Sequence, residues 1–249
     1  AEVTKKSEAV IAADAVYASN TSTLPIGGLA EASSRPANFI GIHFFSPVER
    51  MTLVEIIMGK ETSETTLALA MDYVKRIGKT PIVVNDSRGF YTSRVFGTYL
   101  REGLAMLAEG VNPALIENAG RLAGMPVGPL ALCDEVSIEL MHHVMRQTMA
   151  DMGDDYPGQP GDDVVALFVE RLKRPGKKAG KGFYDYPADG KKRLWPDLEQ
   201  HFPHAAAQPD VEDVKRRLTH IQSVETARCI EENVVTDPRD ADVGSILGW

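Results

Sequence analysis

The segment Asn38-Phe39-Ile40-Gly41-Ile42-His43-Phe44-Phe45 is an almost unbroken apolar run that contains a single histidine. A run of this length, rich in Ile and Phe and ended by Ser46-Pro47, predicts a strand that is covered on both faces. Strands of this kind occur in sheets that carry helices on each side. The segment therefore places this part of the chain in an α/β layer.

The segments around this strand alternate between helical and strand patterns. The helices predicted from apolar spacing are residues 1–14, 25–32 and 63–77, and the further strands predicted are residues 15–18, 53–57 and 80–84. This alternation extends the α/β layer over residues 1–86.

Strand patterns nearly cease after Asp86, and we place a domain boundary near Arg88-Gly89. The helices predicted beyond it are residues 90–109, 113–123, 129–152, 162–173 and 211–233. Residues 190–210 contain three prolines and little periodicity, which predicts a connector.

The helical part contains an internal repeat. Arg94, Glu102, Glu109 and Val111 recur 123 residues later as Arg217, Glu225, Glu232 and Val234. Both copies combine a long predicted helix, a turn that contains Val, and a second helix that follows a proline. The repeat therefore predicts a duplicated helical module.

The composition excludes several classes of protein. The chain has 249 residues, 43% hydrophobic and 25% charged, which is ordinary for a folded protein and not for a disordered one. No apolar run approaches the roughly 18 residues that span a bilayer. A net charge of -8 argues against nucleic acid as a partner. Two cysteines without metal-ligand spacing predict no metal site and a reducing compartment, the cytoplasm.

His43 and Glu55 are the first candidates for chemistry. Each lies in a predicted apolar strand, where a lone buried carboxylate costs several kcal/mol without a partner. A carboxylate beside a histidine fixes the imidazole tautomer and stabilises the imidazolium, as a general base requires. The other interpretation of His43 is a core histidine whose nitrogens are satisfied within the fold.

A polar run, Ser19-Asn20-Thr21-Ser22, follows a predicted strand and precedes a predicted helix. Ligands bind at this carboxyl edge in open α/β sheets. A simple helix N-cap is the other interpretation, although the run is longer than one cap requires.

A basic, Gly-rich loop, Gly176-Lys177-Lys178-Ala179-Gly180-Lys181-Gly182, runs into the aromatic segment 183–186. Three lysines on flexible backbone suit an anion such as a phosphate-bearing ligand, and a solvated turn is the alternative. No G-x-G-x-x-G motif occurs in the chain.

Several of these segments, in this order, carry a family resemblance. The matching strings lie at residues 19–24, 41–48, 51–56, 78–84 and 89–91, and the likeness continues through Gly128-Pro129 and Lys178 to Tyr184. The succession resembles the L-3-hydroxyacyl-CoA dehydrogenase family, and most of all the dehydrogenase part of the multifunctional fatty-acid β-oxidation α subunit.

The resemblance implies an α/β remnant of a Rossmann domain followed by an all-α C-terminal domain with a duplicated helical module. The expected domains are residues 1–87 for NAD binding, 88–190 for the helical dehydrogenase domain and 191–249 for a partial second repeat. We expect the chain to be a fragment, because the family's Gly-rich first βα unit is absent. By itself the fragment is expected to be inactive and to bind NAD weakly.

The resemblance also assigns roles to residues. His43 matches the catalytic base and Glu55 its carboxylate partner. Ser22 matches a serine that contacts the substrate hydroxyl near the nicotinamide, and Asn20, Ser22 and Lys178 are expected to contact NAD. Ser93 stands where many members have an Asn that polarises the substrate oxygen, and its hydroxyl can donate in the same way but reaches less far.

The implied function is NAD-dependent oxidation of L-3-hydroxyacyl-CoA to 3-ketoacyl-CoA in fatty-acid β-oxidation. The implied partners are an acyl-CoA substrate and either a second copy of the chain or a thiolase subunit. Two alternatives remain: a 3-hydroxybutyryl-CoA dehydrogenase of another pathway, and a helical docking or dimerisation fragment without catalysis.

Overall fold

A computed structural model describes residues 2–249. Its α-helices are α1 (Glu2–Glu8), α2 (Ile26–Ala30), α3 (Glu64–Arg76), α4 (Thr92–Ala108), α5 (Pro113–Leu122), α6 (Pro129–Val136), α7 (Ile138–Met152), α8 (Asp162–Ala166), α9 (Leu198–His201), α10 (Val211–Glu231) and α11 (Pro238–Gly248). Its strands are β1 (Tyr17–Ser19), β2 (Phe39–Phe44), β3 (Leu53–Met58), β4 (Thr80–Asn85), β5 (Tyr184–Asp185) and β6 (Arg193–Leu194). The predicted α/β layer and the helical part that follows it are both present.

The main sheet has four strands in the order β1-β2-β3-β4. The β1–β2 and β3–β4 pairs are parallel, whereas β2 and β3 run antiparallel. The first five residues of β2 and of β3 are all buried, as the unbroken apolar run predicted. Helix α3 packs on one face of this sheet against Ile40, Val54 and Ile56.

The predicted connector over 190–210 contains β6 and α9, and three predicted helices differ in extent from those observed. The predicted helix over 1–14 ends at Glu8, before the small residues Ala12 and Ala13. The predicted helix over 129–152 is two helices, because Ser137 has a φ of 86° and its hydroxyl caps α7 at Leu140. The predicted helix over 162–173 is α-helical only to Ala166 and continues as a wider π-helical turn.

The chain divides into two compact units. Unit one contains residues 1–96 and 223–249, and unit two contains residues 97–222. The segment 191–249, expected as one module, is thus divided between them. The reason is the 21-residue length of α10, about 30 Å at 1.5 Å per residue, which carries the chain from one unit into the other.

In unit one, α11 returns to the sheet and packs against β3 and β4. The close approach of α11 to Tyr91 depends on Gly244, where an added Cβ would lie 2.8 Å from the Tyr91 ring. The Tyr91 hydroxyl donates to the Ala241 carbonyl at 3.0 Å. The C-terminal helix is therefore part of the core of the α/β unit.

In unit two, buried charged side chains hold the basic loop and the helices together. Asp134 accepts hydrogen bonds from the Phe183 and Tyr184 backbone N–H groups at 2.8 and 2.9 Å. Arg174 donates to the Gly182 carbonyl at 2.7 Å, and its guanidinium lies 4.2 Å from the centre of the Trp195 ring. These contacts anchor the end of the loop at Gly182, while its lysines, Lys177, Lys178 and Lys181, remain exposed.

The predicted repeat appears as two ion-pair clusters with exchanged partners. In unit one, Arg94 of α4 pairs with Glu225 of α10 at 2.6 Å and with Glu232 just beyond it at 2.7 Å. In unit two, Arg217 of α10 pairs with Glu102 at 2.6 Å and with Glu109. Each arginine thus binds the two glutamates of the other copy, so the duplicated helices are paired reciprocally.

Candidate active site

His43 and Glu55 are neighbours across the antiparallel β2–β3 pair. They occupy directly opposed positions in its register, where side chains project from the same face. His43 Nδ1 lies 2.9 Å from Glu55 Oε2, and both side chains are buried. The hydrogen bond predicted from their placement in two apolar strands is therefore present.

Glu55 is held by the N-terminus of α4 as well as by His43. Its Oε1 atom accepts the backbone N–H groups of Tyr91 and Thr92, each at 3.0 Å. Its Oε2 atom accepts the Thr92 hydroxyl at 2.6 Å, in addition to His43. These hydrogen bonds, together with the positive end of the helix, compensate for the burial of the carboxylate.

A tight turn delivers the α4 N-terminus to Glu55. Gly89 and Phe90 both have positive φ, 77° and 50°, which is unusual for Phe. The Phe90 side chain is completely buried, and its ring centre lies 6.0 Å from that of His43. Phe45 covers the imidazole from another direction at 4.5 Å. Packing thus maintains a costly backbone conformation beside the His–Glu pair.

The second imidazole nitrogen, Nε2, is available for chemistry. It makes no hydrogen bond within residues 2–249. Every fully buried side-chain nitrogen in the described chain has a hydrogen-bond partner. Because Nε2 has none, it is at least partly accessible to solvent. Because Nδ1 is committed to Glu55, Nε2 is the atom at which His43 can accept a proton.

Asn20, Ser22 and Ser93 lie in the same unit. Asn20 Oδ1 accepts the Phe44 N–H at 2.9 Å, which fixes the residue after β1 to the end of β2. The Ser93 hydroxyl donates to the Ser22 carbonyl at 3.1 Å, whereas the Ser22 hydroxyl has no partner among the described residues. Ser93 uses its single proton within the protein, so in this arrangement it is an acceptor toward a ligand.

A pocket of about 390 Å³ opens in unit one between α3 and the sheet, next to Asn20. Its walls include Ile42, Phe44 and Tyr73, and they are mainly apolar. His43 does not contribute to them. The pocket is therefore separate from the His43–Glu55 pair.

Lys178 belongs to unit two, in the 3₁₀ turn Lys177–Ala179. Its side chain is exposed and has no hydrogen bond or ion pair with the described residues. Its neighbour Lys177 is paired with Glu135 at 3.1 Å. Lys178 is thus the lysine of this turn whose ammonium group is free to bind an anion.

Two further properties concern ligands of other kinds. Within residues 2–249, no three His, Cys, Asp or Glu side chains form a group that could hold a metal ion. None of the helices in this part of the chain is long and apolar enough to cross a membrane.

Sequence reasoning missed the two residues at the start of α4, Tyr91 and Thr92. Their backbone N–H groups, and the Thr92 hydroxyl, occupy three of the hydrogen-bonding positions on Glu55. The available signal was a threonine in the first turn of the predicted helix 90–109, two residues after Phe90. That signal predicts a cap but does not say which distant carboxylate the helix end meets.

The fold and the site together define a class of protein. It has an α/β unit with an imidazole–carboxylate pair beside the carboxyl ends of strands, and a helical unit with an anchored basic loop. Residues 1–87 match the NAD-binding domain of 3-hydroxyacyl-CoA dehydrogenase, and residues 89–186 match its C-terminal domain. The chain belongs to the 3-hydroxyacyl-CoA dehydrogenase family.

Individual relatives agree with this assignment. The chain is 39% identical over 237 residues to the fatty acid oxidation complex subunit alpha of Shewanella halifaxensis. The matched region covers 94% of this chain and 33% of that protein. The chain therefore spans about a third of the length of the curated relatives that it matches. The crystal structure of (S)-3-hydroxybutyryl-CoA dehydrogenase from Ralstonia eutropha is 35% identical, with a TM-score of 0.68, over 75% of this chain and 65% of that one. The dehydrogenase part of multifunctional enzyme 1 from C. elegans is 28% identical, with a TM-score of 0.67, over 100% of this chain and 57% of that one.

Proposed function

We propose that the protein oxidises L-3-hydroxyacyl-CoA to 3-ketoacyl-CoA with NAD, as part of fatty-acid β-oxidation. One observation carries the proposal: His43 is oriented by Glu55 through Nδ1 at 2.9 Å and has Nε2 free. A hydroxyl group must lose its proton as its carbon loses hydride, and an oriented imidazole supplies the base that this requires.

In this proposal His43 and Glu55 have different roles in the proton transfer. His43 Nε2 accepts the proton of the substrate 3-hydroxyl, while its Nδ1–H continues to donate to Glu55. The carboxylate stabilises the imidazolium that results, and the buried surroundings strengthen that interaction. When bound, NAD supplies the acceptor for the hydride that leaves C3.

The residues present fit the part of the NAD site at the ends of β1 and β2. Asn20 is fixed there by its hydrogen bond to the Phe44 N–H, and Ser22 follows with a free hydroxyl. We propose that Asn20 and Ser22 hold the cofactor near its reacting end, and that Lys178 contacts its phosphates. A Gly-rich turn for the pyrophosphate is not among these 249 residues.

The two serines have different proposed roles. Ser22 donates to the substrate oxygen and stabilises the charge that develops on it. Ser93 supports Ser22 instead, because its proton is given to the Ser22 carbonyl at 3.1 Å. The direct role of Ser93 implied by the family resemblance therefore becomes a supporting one.

A second candidate is the oxidation of 3-hydroxybutyryl-CoA in another pathway. It is favoured by the 35% identity to the Ralstonia eutropha enzyme. Activity of the full-length protein on a series of 3-hydroxyacyl-CoA substrates, from four to sixteen carbons, separates the two. A kcat/KM that rises with chain length supports β-oxidation of fatty acids, whereas activity confined to four carbons supports the second candidate.

The test of the catalytic assignment is His43→Ala in the full-length protein. We expect kcat to fall by about 10² to 10⁴-fold while acyl-CoA binding is retained. The matched control is His142→Ala, since His142 also pairs with a glutamate, Glu170 at 3.0 Å, but lies in unit two and is more exposed. Equal activity of the two variants would remove His43 as the base.

Partners and compartment follow from the same proposal. The Shewanella halifaxensis relative is a subunit of a fatty acid oxidation complex, so we propose assembly with a thiolase subunit or with a second copy of the chain. Cys133 and Cys229 are both free thiols in the core, which agrees with a reducing compartment such as the cytoplasm. Co-purification of the full-length protein, followed by sedimentation, would identify the assembly.

A further inference from the structure

Thr92 makes a contact that helix capping does not require. At the N-terminus of α4, Glu55 Oε1 already accepts the backbone N–H groups of Tyr91 and Thr92, at 3.0 Å each. The Thr92 hydroxyl instead reaches the other oxygen, Oε2, at 2.6 Å. This is the oxygen that also accepts His43 Nδ1 at 2.9 Å.

The location of the hydroxyl gives it an effect on His43. Thr92 is 1% exposed, so no water competes for the contact. Two donors on one carboxylate oxygen share its charge, and each limits how strongly the other is bound. The hydroxyl also prevents the carboxylate from rotating about its last bond, because it fixes Oε2 while the two N–H groups fix Oε1.

We infer that Thr92 is a positioning residue for the His43–Glu55 pair, which rests on the function proposed above. Through Glu55 Oε2 it sets the direction and the strength of the hydrogen bond to the imidazole. It touches neither substrate nor cofactor, so its removal should lower kcat and leave both KM values nearly unchanged. A purely structural threonine would affect stability without moving either the imidazole proton or kcat.

The test uses Thr92→Val, which keeps the branched shape and removes only the hydroxyl. In the full-length protein we expect kcat to fall by about 10- to 100-fold, the range typical of residues that orient a reactive group. KM for NAD and for acyl-CoA should change by less than about twofold. Thr92→Ser restores the hydroxyl and should recover most of kcat.

A second readout does not depend on activity. The His43 Nδ1–H proton can be followed by NMR in the chain without cofactor. Loss of the competing hydroxyl makes Oε2 a stronger acceptor for that proton, so its resonance should move downfield in Thr92→Val and return in Thr92→Ser.

Thr66→Val is the matched control. Thr66 is also buried, and its hydroxyl donates to the Ala37 carbonyl at 2.8 Å, in the same unit but away from Glu55. This control should lose thermal stability, while kcat and the His43 resonance stay unchanged.

The outcomes separate this inference from the proposed function. If Thr92→Val behaves like Thr66→Val in both kcat and the His43 resonance, Thr92 has no positioning role, although the protein can still be a dehydrogenase. If the full-length protein oxidises no 3-hydroxyacyl-CoA, the proposed function fails, while the NMR measurement still decides whether Thr92 controls the His43–Glu55 contact.

Discussion

Two buried glutamates, one in each unit, use the same device at a helix N-terminus. Glu55 Oε1 accepts the backbone N–H groups of Tyr91 and Thr92 where α4 begins, and Glu117 Oε1 accepts those of Leu130 and Ala131 in α6, at 2.7 and 3.2 Å. In each case Oε2 accepts a hydroxyl, from Thr92 on Glu55 and from Tyr184 on Glu117 at 2.7 Å.

The difference is the histidine. Only Glu55 has an imidazole on its second oxygen, and that imidazole keeps one nitrogen free. Glu117 has no such partner in the described chain, and burial raises its pKa. A buried carboxylate that accepts N–H groups at a helix N-terminus is thus by itself only a structural feature. It becomes a candidate for catalysis where a reactive group depends on it.

The largest expected effect comes from Glu55→Gln. The Gln amide donates to His43 Nδ1, so the proton moves to Nε2, which can then no longer act as a base. We expect kcat of the full-length protein to fall by about 10² to 10⁴-fold. Steady-state assays over the pH range of activity would measure this loss.

The comparison is completed by Glu117→Gln in the same protein. This variant should lose about 1 kcal/mol of unfolding free energy, since one hydrogen bond is weakened, and it should keep its kcat. A similar loss of kcat in both variants would mean that capping of a helix, rather than the histidine, explains the role of Glu55.

The next effect is a pH dependence in unit two. Burial raises the pKa of Asp134 from 3.8 to about 6, so between these values the folded state binds the proton more tightly than the unfolded state. Stability from this group is therefore present at low pH and is lost as pH rises through about 6. The loss is on the order of 2–3 kcal/mol, because each pKa unit corresponds to 1.4 kcal/mol.

Asp134→Asn tests this, because it removes the titration. Denaturant unfolding at several pH values, followed by the fluorescence of Trp195 in unit two, would compare the variant with the parent. The parent should lose stability relative to Asp134→Asn between pH 4 and 6. Parallel pH profiles of the two proteins would contradict the assignment.

A smaller difference is expected between the two ion-pair clusters. Arg94→Met leaves Glu225, whose side chain is only 12% exposed, without its main partner, and should cost about 2 kcal/mol. Arg217→Met affects more exposed groups and should cost less than about 1 kcal/mol. Trp249 lies in unit one and Trp195 in unit two, so variants in which one of the two is replaced by Phe would measure the two losses separately. Equal costs would show that exposure does not distinguish the copies.

The smallest expected effect concerns Lys178 and tests whether unit two contributes to cofactor binding. Lys178→Ala in the full-length protein should raise KM for NAD several-fold and more than KM for acyl-CoA, because a free ammonium contact to a phosphate is lost. Lys177→Ala is the control, since its charge is already paired with Glu135. Indistinguishable KM values in the two variants would leave the loop without a role in cofactor binding.

Much of the site could be predicted from local sequence. The burial of β2 and β3 follows from their apolar runs, and their twelve-residue separation brought His43 opposite Glu55. The family resemblance of several short strings correctly indicated the family. The hydrogen bond of Ser93 was less predictable, because its hydroxyl donates to the Ser22 carbonyl, 71 residues away.

The sequence by itself determined the four strands of the main sheet and the His43–Glu55 pair, because both depend on apolar runs of nearby residues. It also indicated the helical repeat, through matching residues 123 positions apart. Only the tertiary structure decided that the N-terminus of α4 contacts Glu55, that α11 joins the α/β unit, and that each arginine of the repeat binds the glutamates of the other copy. These contacts join residues 36 to 157 positions apart. Their geometry is set by how whole elements pack, and no local pattern encodes that packing.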